Sequence, residues 1–270
     1  MEARGGRRKG LEYMGQIIML GTGDSLNDER VQTSLAVPLE SGETLLIDTT
    51  SGTALLRQLR AAGLGLAGVR HVMVTHRHFD HAGGLPPLLT ALAAVPAARL
   101  TVYAPPDTLH ALLALLALTM PGVEEWLGAR LAWRALTMGA PVAMGSAVVT
   151  PVAVDHGIEC VGLRLALGDA DVVFSADTRP CPALVAHARG VDLLIHEAYG
   201  LADTAAEAHR FGHSTAADAG AAARDAGVGR LLLTHVRASR CAAPAALGAE
   251  AAAAFGRPVA LAEDLGVIDV

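Results

Sequence analysis

Short hydrophobic runs alternate with amphipathic segments along the chain, and the spacing of apolar positions predicts strands and helices in turn. In the first half, runs rich in Ile, Leu and Val and bounded by Gly, Asp or Pro predict strands. These runs are QIIML, SLAVPL, TLLID, VRHVMVT and RLTVYAP. Apolar residues at helical spacing predict one helix in GTALLRQLRAAG, which Gly63 would end, and another in HAGGLPPLLTALAAV.

The second half shows the same alternation of strand and helix patterns. Its predicted strands are SAVVTPVAVDH, CVGLRLAL, DVVFSAD, VDLLIHEA, RLLLTH and RPVALA. Predicted helices lie in CPALVAHARG, in STAADAGAAARDAG and in the alanine-rich segment near the C-terminus. Mixed sheets covered by helices make a layered α/β domain the predicted fold class.

The composition agrees with a globular protein, because 52% of the 270 residues are hydrophobic and 18% are charged. A formal net charge of −6 does not suggest a nucleic-acid binder, which usually carries a basic face. The three cysteines show no C-x-x-C spacing, which argues against a disulfide framework or a cysteine zinc site. A reducing, cytoplasmic setting is therefore expected.

The N-terminal segment MEARGGRRKGLEYMGQ is basic, but no long apolar run follows it. We therefore expect no secretory signal and interpret residues 1–13 as a disordered tail before a single domain at residues 14–270. A basic arm that grips an anionic partner is the alternative for the tail. The longest apolar stretch, LHALLALLALTM, is too short to span a bilayer, so no membrane association is expected.

Histidines and acids recur where predicted strands end. The residues in these positions are Asp48, His76, His156, Asp177, His196 and His235. Because α/β scaffolds present functional sites on loops at the carboxyl ends of strands, this recurrence predicts a site at one sheet edge.

The segment THRHFDH places His76, His78, Asp80 and His81 within one short stretch after a predicted buried strand. Histidine is the commonest metal ligand, and zinc accepts both imidazole nitrogen and carboxylate oxygen. A solvated loop with these residues by chance is the alternative. Two ions about 3.5–4 Å apart would need roughly twice the ligands that this loop offers. His156, Asp177 and His235 stand at other strand ends and are placed to supply the rest.

Four motifs in this order resemble the metallo-β-lactamase fold superfamily. They are THRHFDHAGGL, DH at 155–156, FSADT and LLLTH. The resemblance implies a four-layer αββα sandwich with two divalent metal ions at one edge, zinc in the first place and manganese or iron as alternatives. It implies these ligands: His76, His78 and His156 for one ion, Asp80, His81 and His235 for the other, and Asp177 as a bridge.

Two further stretches, LLIHEAYG and GHSTAADAG, look like the ribonuclease Z and zinc phosphodiesterase branch of that superfamily. In that branch a glutamate and a histidine from these motifs form a pair, which here would be Glu197 and His213. A carboxylate behind an imidazole raises its basicity and suits it to donate a proton to a leaving oxygen. We therefore expect Glu197, His213 and the ligand Asp80 to be catalytic residues. Alternatively, Ser214 caps the following helix, with Asp218 in its first turn.

The sequence also departs from ribonuclease Z. A glutamate-containing turn is replaced by IDTTSG, the segment after LTH reads VRASRC, and the long basic arm that grips tRNA has no evident counterpart. The main hypothesis is therefore a metal-dependent hydrolase of small or nucleotide-type phosphate diesters, with hydroxide generated by the metals as the nucleophile. The alternatives are the tRNA 3′-processing endoribonuclease itself, a lactone, thioester or sulfate-ester hydrolase, and a non-catalytic binding module.

Partners follow from the same resemblance. We expect a small phosphodiester or nucleotide substrate, with RNA as an alternative, and a homodimer. The expected phosphate contacts near the site are Arg30, Arg179, Arg237 and Arg240.

Overall fold

Two β-sheets face each other in the part of the chain that the computed structural model describes, residues 15–96, 98–237 and 244–270. In spatial order, the first sheet contains β14 (Gly266–Asp269), β1 (Gln16–Gly21), β2 (Ser34–Pro38), β3 (Thr44–Ile47), β4 (Val69–Met73), β5 (Leu100–Ala104) and β6 (Leu131–Ala135). The second contains β13 (Ala260–Leu261), β12 (Arg230–Thr234), β11 (Leu193–Glu197), β10 (Ala170–Phe174), β9 (Val161–Leu167), β8 (Ala147–Ala153) and β7 (Val142–Met144).

Both sheets are mixed. In the first, β14, β1, β2 and β3 pair antiparallel, whereas β3 to β6 are parallel. In the second, β7 to β10 are antiparallel and β10 to β13 are parallel. The parallel strands need crossover connections, and helices provide most of these.

Helices cover the outer face of each sheet. The first sheet is covered by α1 (Ala54–Ala61), α3 (Leu85–Ala93), α4 (Pro106–Thr119) and α5 (Val123–Leu127). The second is covered by α6 (Pro182–His187), α8 (Ala216–Ala226) and α9 (Pro244–Phe255). Two short helices, α2 (Phe79–Ala82) and α7 (Ala205–Phe211), lie in loops at one edge. The order helix, sheet, sheet, helix confirms the predicted four-layer αββα sandwich.

Strand residues alternate between two hydrophobic environments, as the period of a β-strand requires. In β1, Ile17 and Met19 face the core between the sheets, whereas Ile18 and Leu20 pack under the helices. In β10, Phe174 lies in the core between the sheets and Val173 faces the second helical layer. Both faces of these strands are buried, which explains why the sequence shows continuous apolar runs there.

Some elements differ from the sequence prediction. The helix expected within HAGGLPPLLTALAAV is two helices, because α2 begins at Phe79 inside the histidine cluster and α3 begins at Leu85. The strands β6, β7 and β14 and the helices α4, α5 and α7 have no counterpart in the prediction. Residues 1–13, predicted to be a tail, lie outside the described residues.

Within the described ranges, no single helix is long and apolar enough to cross a membrane. The bent pair Pro106–Thr119 and Val123–Arg130 meets the length and composition criterion only when both helices are taken together.

Candidate metal centre

The loop after β4 carries four of the predicted site residues, and its path is fixed by contacts with the loop after β3. The amide and hydroxyl of Thr49 both donate to the carbonyl of His81, at 2.6 and 2.8 Å. Gly84 follows with its amide bonded to Thr50, and a Cβ at this position would lie 1.8 Å from the Thr49 carbonyl oxygen. A side chain at residue 84 would therefore push the two loops apart.

His76, His78 and His156 converge with their ring nitrogens. Nδ1 of His78 lies 3.1 Å from Nε2 of His76 and 3.2 Å from Nε2 of His156. Oδ2 of Asp177 completes the group at 3.5 Å from Nε2 of His76. All four donor atoms lie within 4.8 Å of one another.

Asp80, His81 and His235 form a second group beside the first. Oδ2 of Asp80 lies 3.4 Å from Nε2 of both histidines. Oδ1 of Asp177 lies 3.4 Å from Nε2 of His81 and 3.3 Å from Nε2 of His235. Asp177 therefore presents one carboxylate oxygen to each group, which is the arrangement that a bridging ligand requires.

These separations are those expected of atoms that share a divalent metal ion. Two ligand atoms bound tetrahedrally at ~2.0–2.1 Å from zinc lie roughly 3.3–3.4 Å apart, close to the distances in both groups. Within the described part of the chain, Nε2 of His81 and Oδ1 of Asp177 are buried without a hydrogen-bond partner. Such atoms are costly unless they bind something. The site is therefore suited to metal ions.

Backbone strain marks three of the loops that form this site. Asp48, Ala176 and His235 have φ angles of 58°, 51° and 53°, in the left-handed region that non-glycine residues rarely adopt. Each stands at or just after the end of a strand, namely β3, β10 or β12. Strained backbone of this kind persists where surrounding structure enforces it and concentrates at functional sites.

Asp48 holds one of the candidate metal ligands in place, a role that the sequence pattern did not assign to it. Its carboxylate accepts a hydrogen bond from the amide of Thr75 at 2.8 Å and lies 2.7 Å from Nδ1 of His81. A proton on Nδ1 leaves Nε2 of His81 free to bind a metal. The carbonyl of Gly212 has the same relation to His156, 2.8 Å from its Nδ1.

The two groups differ in the protonation that their surroundings favour. Burial, with neighbouring imidazoles, lowers the pKa of His76 and of His78, so both favour the neutral form that binds metal. Burial also opposes charge on His235, but the carboxylates of Asp177 and Asp80 raise its pKa to about 9. The pKa of His81 is raised by Asp177, Asp80 and Asp48 in the same way, against the effect of burial.

Glu197 and His213 form the pair that the sequence predicts. Oε2 of Glu197 lies 3.1 Å from Nδ1 of His213, while the amide of Thr178 donates to Oε1 at 2.6 Å. Burial would lower the pKa of His213, but Glu197 and Asp177 raise it above its usual value. The ring of Tyr199 stacks on His213 at 4.8 Å between centroids and 10° between planes, a contact that no pattern in the sequence indicates.

The helix after GHST is capped as the alternative interpretation expects, but the capping residue is Thr215 and not Ser214. Thr215 caps α8 and forms a reciprocal capping box with Asp218. Ser214 instead donates a hydrogen bond to the carbonyl of Thr178 at 2.6 Å. Other histidines have contacts away from the cluster: His209 pairs with Asp218 at 2.8 Å, and His196 lies 2.8 Å from the carbonyl of Glu197.

A cavity of about 550 Å³ opens over the two ligand groups. Its lining combines site residues with apolar and charged groups, among them Leu26, Phe79, Tyr199, Phe211, His213 and Arg237. Of the expected phosphate contacts, only Arg237 lines it. Arg30 donates to the carbonyl of Ala262 and Arg179 pairs with Asp155, and Arg240 lies outside the described residues.

Comparisons with known proteins show the family and agree with the fold. The family model for the beta-lactamase superfamily domain matches residues 43–236. Ribonuclease Z of Mycobacterium sp. (strain KMS) is 32% identical over 94% of this chain and 96% of its own length. The metallo-beta-lactamase fold protein YhfI from Bacillus subtilis superposes with a TM-score of 0.79 at 22% identity, covering 93% of this chain and 98% of its own.

The short form of human tRNase Z superposes with a TM-score of 0.72 at 22% identity, covering 94% of this chain and 98% of its own. The match in fold, the match in sequence over nearly the full length and the two His/Asp groups lead to one conclusion. The chain belongs to the metallo-β-lactamase superfamily, in its ribonuclease Z-like branch, and is a metal-dependent hydrolase of the phosphodiesterase type.

Proposed function

We propose that this hydrolase cleaves phosphodiester bonds in RNA, as a 3′-processing endonuclease of the ribonuclease Z kind. The observation that carries the proposal is the Glu197–His213 pair at the edge of the two ligand groups, in the wall of an open cavity. Relatives named ribonuclease Z that align with nearly the whole chain support RNA as the substrate. This choice reverses the preference for small diesters that the sequence alone favours.

Two divalent ions, zinc in the first place, would be held by the ligands that the resemblance implies. His76, His78 and His156 would hold one, Asp80, His81 and His235 the other, and Asp177 would bridge them. When bound, such ions supply Lewis acidity that activates water and neutralises charge on a phosphoryl group. The chain's own contribution is to keep these ligands buried and oriented through contacts such as that of Asp48 with His81.

His213 is placed to give a proton to the departing oxygen. The carboxylates of Glu197 and Asp177 raise the pKa of its imidazole against the effect of burial and so favour the protonated ring. The contact with Glu197 engages Nδ1. Nε2 is therefore the nitrogen that can donate to a substrate. Tyr199, stacked on the ring, restricts its rotation and shields one face from water.

Small nucleotide-type diesters are the second candidate, and charge favours them. The net charge is −6, and Arg30 and Arg179 are occupied in contacts within the protein. A folded RNA is usually held by several phosphate contacts from Lys and Arg. The Glu197–His213 pair argues against lactones, thioesters and sulfate esters, which have less need of a proton donor, and the complete set of ligands argues against a non-catalytic module.

A direct comparison of substrates tests the proposal. Zinc-loaded protein is incubated with a 3′-extended tRNA and, separately, with bis(p-nitrophenyl) phosphate, and the RNA products are mapped at nucleotide resolution. Cleavage at one position after the acceptor stem, with kcat/KM well above that for the small diester, is expected. If the protein cleaves bis(p-nitrophenyl) phosphate but not the tRNA, the RNA proposal is wrong and small nucleotide-type diesters become the proposed substrates.

We further propose that residues 14–270 form a single hydrolase domain and that the protein is a cytoplasmic homodimer. Light scattering on the full chain tests the oligomeric state.

A further inference from the structure

Phe79 stands between two cavities of the molecule. It lines the cavity of about 550 Å³ that opens over the ligand groups, and it also lines a second cavity of about 230 Å³. The residue lies in the chain between His78 and Asp80. Phe79 is therefore a wall residue of both the candidate metal site and a neighbouring side pocket.

The ring of Phe79 is largely open to solvent, with 68% of the residue exposed, yet packing restricts it. It lies over Gly83, where an added Cβ would come within 2.6 Å of ring carbon Cε2. The absence of a side chain at residue 83 therefore lets the ring lie against the backbone of α2. An exposed aromatic ring held in this way resembles the preorganised stacking surfaces on which proteins place planar groups.

The side pocket behind the ring is apolar apart from one cation. Its remaining walls are Ala82, Gly83, Ala111, Leu112 and Leu115, with Arg77 as the charged group. Within the described ranges, Arg77 has no ion pair. Aromatic and aliphatic walls with a guanidinium suit a planar, weakly polar ring attached to an anion.

We propose that Phe79, with Arg77 and the side pocket, forms the subsite for the nucleobase next to the scissile phosphate. The inference rests on the proposed function, since it assigns the part of the substrate that flanks the phosphodiester. A base stacked on Phe79 would keep its phosphate over the ligand groups, because the same ring borders both cavities. The subsite accepts bases generally, because stacking uses the face that every base has.

Binding of two product-like anions tests the subsite without relying on turnover. Zinc-loaded protein is titrated calorimetrically with AMP and with ribose 5-phosphate, which lacks the base. Wild type is expected to bind AMP roughly 10-fold or more tightly. Phe79→Ala should lose most of this preference while keeping its affinity for ribose 5-phosphate and its zinc content, and Phe79→Trp should retain the preference.

Trp126→Ala is the matched control, because Trp126 is another exposed aromatic residue, at 57%, that lines neither cavity; it should leave both affinities unchanged. Equal affinity of wild type for the two anions would overturn the subsite, as would a Phe79→Ala variant that weakens both anions equally. If Phe79→Ala changed the protein from dimer to monomer but kept the preference for AMP, Phe79 would belong to a contact between two copies of the chain. The subsite would then be wrong. The protein could also prefer AMP through Phe79 and yet cleave no phosphodiester. That result would contradict the proposed function and support the subsite.

Discussion

The carboxylate of Glu197 lies 3.1 Å from Nδ1 of His213, and both side chains are largely buried. This contact selects which nitrogen of the imidazole can serve a substrate and raises the proton affinity of the ring. Glu197 is itself fixed by the amide of Thr178. The pair therefore behaves as a proton donor with a defined direction rather than as a surface ion pair.

Removal of this donor should slow diester cleavage in proportion to the basicity of the leaving group. His213→Ala is expected to reduce turnover of alkyl or nucleoside diesters by ~10²–10⁴, and Glu197→Gln should show a smaller loss. For bis(p-nitrophenyl) phosphate, whose leaving group needs no proton, the loss should shrink. Steady-state rates for both substrate classes measure this, with zinc content unchanged and His110→Ala, an exposed residue of α4, as the control. Equal losses for both leaving groups would remove His213 from the role.

Asp177 should be needed for both metal ions, because each of its carboxylate oxygens faces a different ligand group. We expect elemental analysis to find about two metal ions per chain in wild type and a loss from both positions in Asp177→Ala. Asp225→Ala, which removes an exposed carboxylate paired with Arg224, should leave the content unchanged. Protein that neither contains metal nor is stabilised by added zinc would contradict the two-metal assignment.

Asp48 should act on metal affinity through His81. Asn is the informative replacement, because it tolerates the left-handed backbone at this position, where φ is 58°. Asp48→Asn removes the charge that orients His81 and is expected to weaken zinc binding by ~10–100-fold. Competition with a chelator measures the affinity, and Asp171→Asn, in a surface pair with Arg164, serves as the control. Unaltered affinity in Asp48→Asn would show that the orientation of His81 is set elsewhere.

Occupancy of the second ligand group should depend on pH more strongly than occupancy of the first. In the absence of metal, His235 has a pKa raised to about 9 and His81 is also raised, so both must lose a proton before binding. At buffered, limiting zinc, content should rise from about one ion per chain near pH 6 towards two near pH 9. Calorimetry in buffers of different ionisation enthalpy should show that zinc binding releases the protons of His235 and His81 to the buffer. A stoichiometry independent of pH would contradict this asymmetry.

The raised pKa of His235 also determines how the stability of the metal-free protein changes with pH. The folded-state pKa of His235 lies above the ordinary value of 6.5. The stabilisation from its contacts with Asp80 and Asp177 is therefore complete below about pH 6.5 and is lost as pH rises through about 9. Urea titrations of metal-free protein should show a lower free energy of unfolding at pH 9 than at pH 6.5, and bound zinc should remove this difference.

The sequence predicts the fold well and points to the residues that converge in the candidate site, because strand periodicity and histidine spacing are local signals. THRHFDH names four residues of the site directly, and strand ends supply His156, Asp177 and His235. The roles of Asp48 and Tyr199 could not be predicted, because their contacts with His81 and His213 depend on tertiary packing and follow no local spacing or motif. The strands β6 and β7 were missed because they are short and partly exposed, so tertiary pairing defines them more than pattern does.

The dependence of cleavage on salt should separate the two candidate substrates. Lys9 is the only lysine in the sequence, and Arg77 and Arg237 are the arginines that line the two cavities bordered by Phe79. A substrate held through one or two phosphates should lose affinity only weakly as salt rises, whereas an RNA held by many contacts loses ~10³–10⁵ between 50 and 200 mM salt. We expect a weak slope for small diesters, and a moderate slope for a 3′-extended tRNA that removal of residues 1–13 leaves unchanged. The measurement is kcat/KM for both substrates at two salt concentrations. A steep slope that the truncation abolishes would show that the basic N-terminal segment, rather than the cavity, holds the RNA.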